Sequence, residues 1–459
     1  MTKMYEFVLC GFQLNVGFRY SRASPDRARG GGMQAWERRL TDLWLLLERC
    51  HATYMEPELF RLNTNQFLQT SRTVTFIIQK NKDQIPGFDD WYRPITAEWA
   101  KDAVMTWAKD SRNMIEKEGD LDLHSALRMT LFWSYIAEHD ISLVTGRDEL
   151  LQAGTKRLIR FARRNLPSGV VDSSAVRVER RWVANTLPNW ELLQAFTYIY
   201  GALYRMCHGL AAQMGAVLDK EVPAPDSLFV EKESALQIAY LKLSDMKVHF
   251  QRMKKVKFDR SAITPEREAL LEPIKAMATS SRNAGDTFEA LCALASFNFE
   301  NSGFHVPMVF MYDETMAVVD TMSVCFGDSV DKFIFWRSVA DRVSITKATL
   351  VVMIGEMWVR DMKGFTYSQG FQKLPITGER LSVVGMDHLG RYRSRSWDIV
   401  RDKPDARPRL GAVIPVAEHS DREIPFIFAP VMRVFGLPYP AHFSENLERT
   451  ARSGRNLVR

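Results

Sequence analysis

The chain has 459 residues, 46% hydrophobic and 25% charged, enough to bury the cores of two or three globular domains and unlike a disordered or collagen-like composition. Its 61 basic and 55 acidic side chains leave +6, too mild a surplus to name a polyanionic partner unless the cations gather on one face. The five cysteines, Cys10, Cys50, Cys207, Cys292 and Cys325, lack C-x-x-C or Cys/His ligand spacing, so they read as reduced core thiols of a cytoplasmic protein with no bound metal or other cofactor.

Residues 5–18 alternate apolar and other side chains, too interrupted for a signal-peptide core. Arg19 to Gly32 is rich in Arg, Ser, Pro and Gly, so residues 1–32 are expected to form a flexible arm. No run of about 18 apolar residues offers a membrane span, and no membrane partner is expected.

From residue 33 the pattern is helical. Trp36, Leu40, Leu43, Trp44 and Leu47 share one face of a first helix, with Glu37, Arg38 and Asp42 left for solvent. Phe60, Phe67, Ser71, Val74 and Ile78 mark a second after Pro57, ending before Pro86-Gly87. The stretch Gly87 to Pro94 reads as an insertion that packs Trp91 and Tyr92 across a helix end. A third helix opens at Thr96 and carries Ala100, Val104, Trp107, Ser111 and Met114 on one face; another is expected from Asp122 or Ser125, through Leu127, Leu131, Tyr135 and Ile136. The expected domain is an antiparallel helical bundle over 33–218.

The third helix runs out through Arg112-Asn113-Met114-Ile115-Glu116-Lys117-Glu118-Gly119-Asp120. A long helix ending in Arg-Asn, then an apolar residue, charged residues and Gly-Asp, resembles the catalytic region of HEPN domains. The likeness covers about residues 35–165. It implies a metal-independent endoribonuclease of a defence or toxin-like system, two protomers pairing through their helices to form one RNA cleft. Arg112 and Asn113 fill the first two places of that motif, and the place of its histidine falls at Lys117. Cleavage needs a cation to stabilise phosphorane charge and a group titrating near neutrality to move a proton. An exposed lysine stays charged to about pH 10. His124 lies further along, beyond Gly119. The other reading of these residues is architectural: Arg112 pairs with Glu116 while Asn113 caps backbone groups.

Leu150 to Asn165 reads as a basic helix. Its Arg157, Arg160 and Arg164, at i, i+3 and i+7, suit a row of phosphates or simply a solvated face. Val170 to Trp182 is polar and reads as a loop, and Trp190 to Val217 is a strongly apolar helix. Residues 219–227, with Pro223 and Pro225, are the expected linker.

Beyond the linker the period shortens toward two, which predicts an α+β domain with a mainly antiparallel sheet over 228–440 and a basic tail over 441–459. Hairpins are expected around residues 244–246, whose second strand interleaves Lys247, Arg252, Lys254 and Lys255 with His249 and Phe250, and around Asp387-His388-Leu389-Gly390. In the second hairpin Arg391, Arg393 and Arg395 fall on one face, available to phosphate, an acidic partner or water. Glu356 interrupts an apolar strand, a strand-end polar residue or a general base. No Gly-rich phosphate loop, nucleophile elbow or H-E-x-x-H is present. The overall expectation is an α+β protein associated with RNA or another nucleic acid; a non-enzymatic interaction module that dimerises through its bundle is the alternative.

Overall fold

The computed structural model describes residues 34–141, 151–164, 171–225, 237–244, 248–249, 265–323, 326–361, 374–401, 407–414 and 424–443. The expected arm at 1–32, the basic strand beyond His249 and the tail from residue 444 lie outside the described residues.

Four helices come first: α1 (Ala35–Thr53), α2 (Pro57–Lys80), α3 (Phe88–Trp99) and α4 (Ala103–Lys117). Leu40, Leu43 and Leu47 of α1 and Phe60, Phe67 and Val74 of α2 are all buried, as their three-to-four spacing requires. Glu37, expected in solvent, is instead buried, and it accepts hydrogen bonds from the N–H groups of Gln34 (2.7 Å) and Asp219 (3.0 Å). A carboxylate three residues into a helix can satisfy donors at the helix entry, which outweighs its preference for water. The expected third helix is two helices. Asp102 separates them by accepting from Val104 N–H (2.8 Å) and Met105 N–H (2.9 Å), so the chain restarts there. Trp91 and Tyr92 belong to α3, and the buried Tyr92 hydroxyl accepts from Gln79 (2.9 Å), a packing role.

The helical stretch then gives way to sheet. The helix expected from Asp122 or Ser125 is the strand β1 (Leu123–Phe132), paired antiparallel with β2 (Glu138–Ile141). Leu127 and Leu131 are four apart, a spacing that keeps them on one face of a strand as well as of a helix. The loop expected at 170–182 is largely the strand β3 (Ala175–Ala184). Its inward row is Val176, Val178, Arg180 and Trp182, and the arginine in that row hides the alternation from a hydropathy reading. Helices α5 (Thr155–Arg164) and α6 (Leu192–Gln213), with strands β4 (Gln237–Lys242) and β5 (Val248–His249), complete this unit, which comprises the described residues of 34–132 and 138–249. Its sheet runs β2-β1-β3-β4-β5, antiparallel throughout. Phe67 and Phe196 meet at 4.6 Å between ring centroids and Phe60 stacks on Trp182 at 5.5 Å, tying α2 to α6 and β3.

The second unit holds 133–137 and the described residues from 265 onward. Its elements are α7 (Pro265–Ser280), α8 (Ala284–Ser302), β6 (Met308–Tyr312), β7 (Val318–Ser323), α9 (Ser329–Thr346), β8 (Leu350–Arg360), β9 (Ile376–Asp387), β10 (Tyr392–Val400), β11 (Arg409–Ile414) and α10 (Ala429–Val434). The six-stranded sheet runs β11-β10-β9-β8-β6-β7, every pair antiparallel. Alternate residues feed two cores. Phe310, Val352 and Val383 pack with Phe288, Leu291 and Phe299 of α8, while Met311, Val351 and Met386 pack with Phe335, Trp336 and Val339 of α9. The fold class is therefore an all-helical N-terminal stretch followed by a mixed α/β region with antiparallel sheets, as expected.

Candidate nucleic-acid interface

The α4 exit places Arg112 and Asn113 side by side. The Arg112 guanidinium donates to Asn113 Oδ1 (3.1 Å), pairs with Glu116 Oε1 (2.7 Å) and lies 5.5 Å from the centre of the Phe76 ring. Lys117, the last residue of α4, is exposed. His124 is on β1, and its Nδ1 is 2.7 Å from Asn185 Oδ1. Among the described residues no histidine is hydrogen-bonded to Arg112 or Asn113.

The arginine row of β10 has the predicted period and carries its own acids. Asp387, at the end of β9, is buried; its carboxylate accepts from Arg391 Nε (2.7 Å) and Arg393 (3.4 Å), and from the N–H groups of Leu389 (3.1 Å) and Arg391 (3.0 Å). Arg395 makes a two-pronged pair with Glu289 of α8 at 2.6 and 2.8 Å. Two carboxylates thus answer three guanidiniums, and the charge offered outward is much less than the sequence suggests.

Helix α5 differs. Leu158, Ile159 and Ala162 are fully buried, whereas Lys156, Arg157, Arg160, Arg163 and Arg164 are exposed, and no acid occurs in its ten residues. The helix is held at both ends. Glu56 accepts from the N–H (3.3 Å) and the hydroxyl of Thr155 at its start, where a carboxylate suits the helix dipole, and Arg163 donates to the Leu243 carbonyl (2.6 Å) near its end. Arg160 and Arg164, named from the sequence, make no ion pair among the described residues, and neither does Lys156, four residues before Arg160. Arg157, placed with them by i, i+3 spacing, has a partner of its own. The i, i+4 relation would have picked Lys156.

A family model described as bacteriophage lambda protein ea47 matches residues 27–449. Protein ea47 of Escherichia phage lambda is 42% identical over 409 residues, covering 87% of this chain and 97% of that protein. The chain belongs to the phage lambda Ea47 family. No solved structure matches it.

Two polar groupings in this Ea47-family chain are candidates for chemistry. In the first unit, Arg180 and Glu191 are both fully buried. The Tyr54 hydroxyl donates to Glu191 Oε1 (2.7 Å) and accepts from Trp182 N–H (2.9 Å), while Glu191 Oε2 accepts from Gln194 N–H (3.0 Å) at the start of α6. Arg180 donates to the carbonyls of Ala153 (2.7 Å) and Met55 (3.5 Å) and lies 5.4 Å from the Trp182 ring centre. Burial pushes Glu191 up to about 7 and Arg180 down to about 10. Nothing in the residue pattern marks this group, since Arg180 sits in a stretch that reads as loop. Its contacts are all internal, so it organises the core.

In the second unit Glu356 accepts from the His305 N–H (2.5 Å), and burial holds its carboxyl above the usual range. The His305 ring turns to the Val306 carbonyl (2.8 Å), leaving Glu356 without a second catalytic group in hydrogen-bond contact among the described residues. Cys50, Cys207 and Cys292 are buried thiols raised by burial, which suits the reading of inert core cysteines. No group of three or more His, Cys, Asp or Glu able to hold a metal stands among the described residues, and no described helix is long and apolar enough to cross a membrane.

Proposed function

We propose that this Ea47-family protein is a nucleic-acid-associated protein that binds the phosphate backbone through α5 and does not cleave it. The observation that carries the reading is the row Lys156, Arg160 and Arg164 on a helix whose solvent face has no acid. Cations already matched by a carboxylate give up an ion pair to meet a phosphate; these three have no such pair among the described residues. The β10 row fails that criterion, and Arg112 is committed to Glu116.

A HEPN-type endoribonuclease using Arg112, Asn113 and Lys117, with paired protomers, is the rival proposal. Its support is the resemblance of the α4 exit and the 3.1 Å contact between Arg112 and Asn113. One experiment separates the two. Labelled RNA and DNA are mixed with wild type, with Arg160→Glu plus Arg164→Glu, and with Arg112→Ala, without added metal, and both retention and cleavage are read. Retention without cleavage, abolished by the α5 reversal and intact in Arg112→Ala, is the expected result. Cleavage lost in a folded Arg112→Ala protein would establish the rival.

A further inference from the structure

We propose that α5 is a base-blind site for double-stranded nucleic acid, with Lys156, Arg160 and Arg164 each facing a phosphate. This rests on the reading of α5 as the binding surface and adds the form of the ligand. Residues four apart on a helix form a continuous ridge, and at ~1.5 Å of rise per residue the ridge spans about 12 Å. A duplex displays one phosphate charge per ~1.7 Å of its axis, so a row of this length meets charge along all of it.

The side chains on the ridge also say what is not read. Base edges are distinguished by paired donors and acceptors such as Asn or Gln amides, or by arginine in a groove entered by the helix. The ten residues of α5 include no amide, and its solvent face is uniformly cationic. Proteins that hold single strands without sequence preference combine cations with aromatic platforms for the bases. The single ring of α5, Phe161, is only partly exposed and already has a contact of its own. A duplex, which carries its phosphates outside and its bases stacked within, fits a surface with cations and no platform. The helix is presented ready for it, pinned by Glu56 at one end and by the Leu243 carbonyl at the other.

The test is a salt titration of the full-length protein against labelled duplexes of A·T-only and G·C-only sequence and against a single strand of mixed sequence. Variants are Lys156→Ala/Arg160→Ala/Arg164→Ala, the single Arg160→Ala, and Lys109→Ala as an exposed cation on α4 outside the row. The slope of log K against log salt is expected to fall by about 2.7 in the triple variant and about 0.9 in the single one, at ~0.9 per phosphate contact, and to stay unchanged in Lys109→Ala. The two duplexes are expected to agree within about fivefold, the least that one good base contact gives, and both to bind tighter than the single strand. Wild-type binding with an unchanged slope in the folded single and triple variants would overturn the site. A larger preference between duplexes would overturn base-blindness, and tighter single-strand binding would overturn the choice of duplex, each leaving the broader proposal standing. No binding to any of them would overturn both.

Discussion

Glu191 shows what one side chain can cost and arrange. It opens α6 by accepting from Gln194 N–H and receives the Tyr54 hydroxyl, yet it is fully buried with no cation bonded to it among the described residues. The folded protein holds its proton up to about pH 7, whereas the ordinary value is 4.5. Because the folded state binds the proton more tightly than the unfolded chain does, this group favours folding most below pH 4.5, and stability falls as pH rises from there to about 7. At ~1.4 kcal/mol per unit the loss is about 3 kcal/mol. Urea unfolding across pH 5 to 8 is expected to show that decline in wild type and a flatter profile in Glu191→Gln; parallel profiles would sink the assignment. The sequence hides such residues for a simple reason. Glu37, Arg180 and Glu191 read as surface groups by type, and only the backbone donors and carbonyls that surround them make burial tolerable.

At the scale of elements, the β9–β10 hairpin was legible and its anchor was not. The Asp387-His388-Leu389-Gly390 turn lies between two strands in register, with Gly390 at φ +81° where a glycine is at ease. Asp387 itself holds the turn, taking two backbone N–H groups and two guanidiniums. Asp387→Ala is expected to lower stability by about 1–3 kcal/mol, the usual cost of orphaning buried donors, and to raise the positive charge displayed by β10. Thermal unfolding checks the first effect, and electrophoretic retention of a polyanion checks the second. The helices are legible where apolar residues recur at three and four, as in α1, α2 and α6. Over 122–136 the pattern is ambiguous because Leu127 and Leu131 satisfy both periods, and β3 is hidden because a buried arginine breaks its apolar row. The α5 site was half visible: its cations stand plainly in the sequence, but which of them lack partners depends on Leu243 and other groups far along the chain.

For the whole molecule, net charge was a poor guide and local pairing a better one. A surplus of +6 spread over 459 residues predicts little, whereas the three guanidiniums of the β10 row, answered by Asp387 and Glu289, and the three α5 cations without an ion pair among the described residues predict a weak and a strong response to a polyanion. The second unit was the more legible of the two, since its strands and turns alternate in sequence order and each of its sheet faces is covered by helices near in the chain. That double covering has a consequence for how the protein exchanges its amide hydrogens with water. Strands β8 and β9 have a neighbour on each side and a packed core on each face, so no small fluctuation uncovers their backbone. The amides of Val352 and Val383 are expected to exchange only when the unit opens as a whole, and their protection then reports its full unfolding free energy. Those of β11, paired on one side alone among the described residues, are expected to exchange sooner; deuterium labelling followed by mass spectrometry would order them.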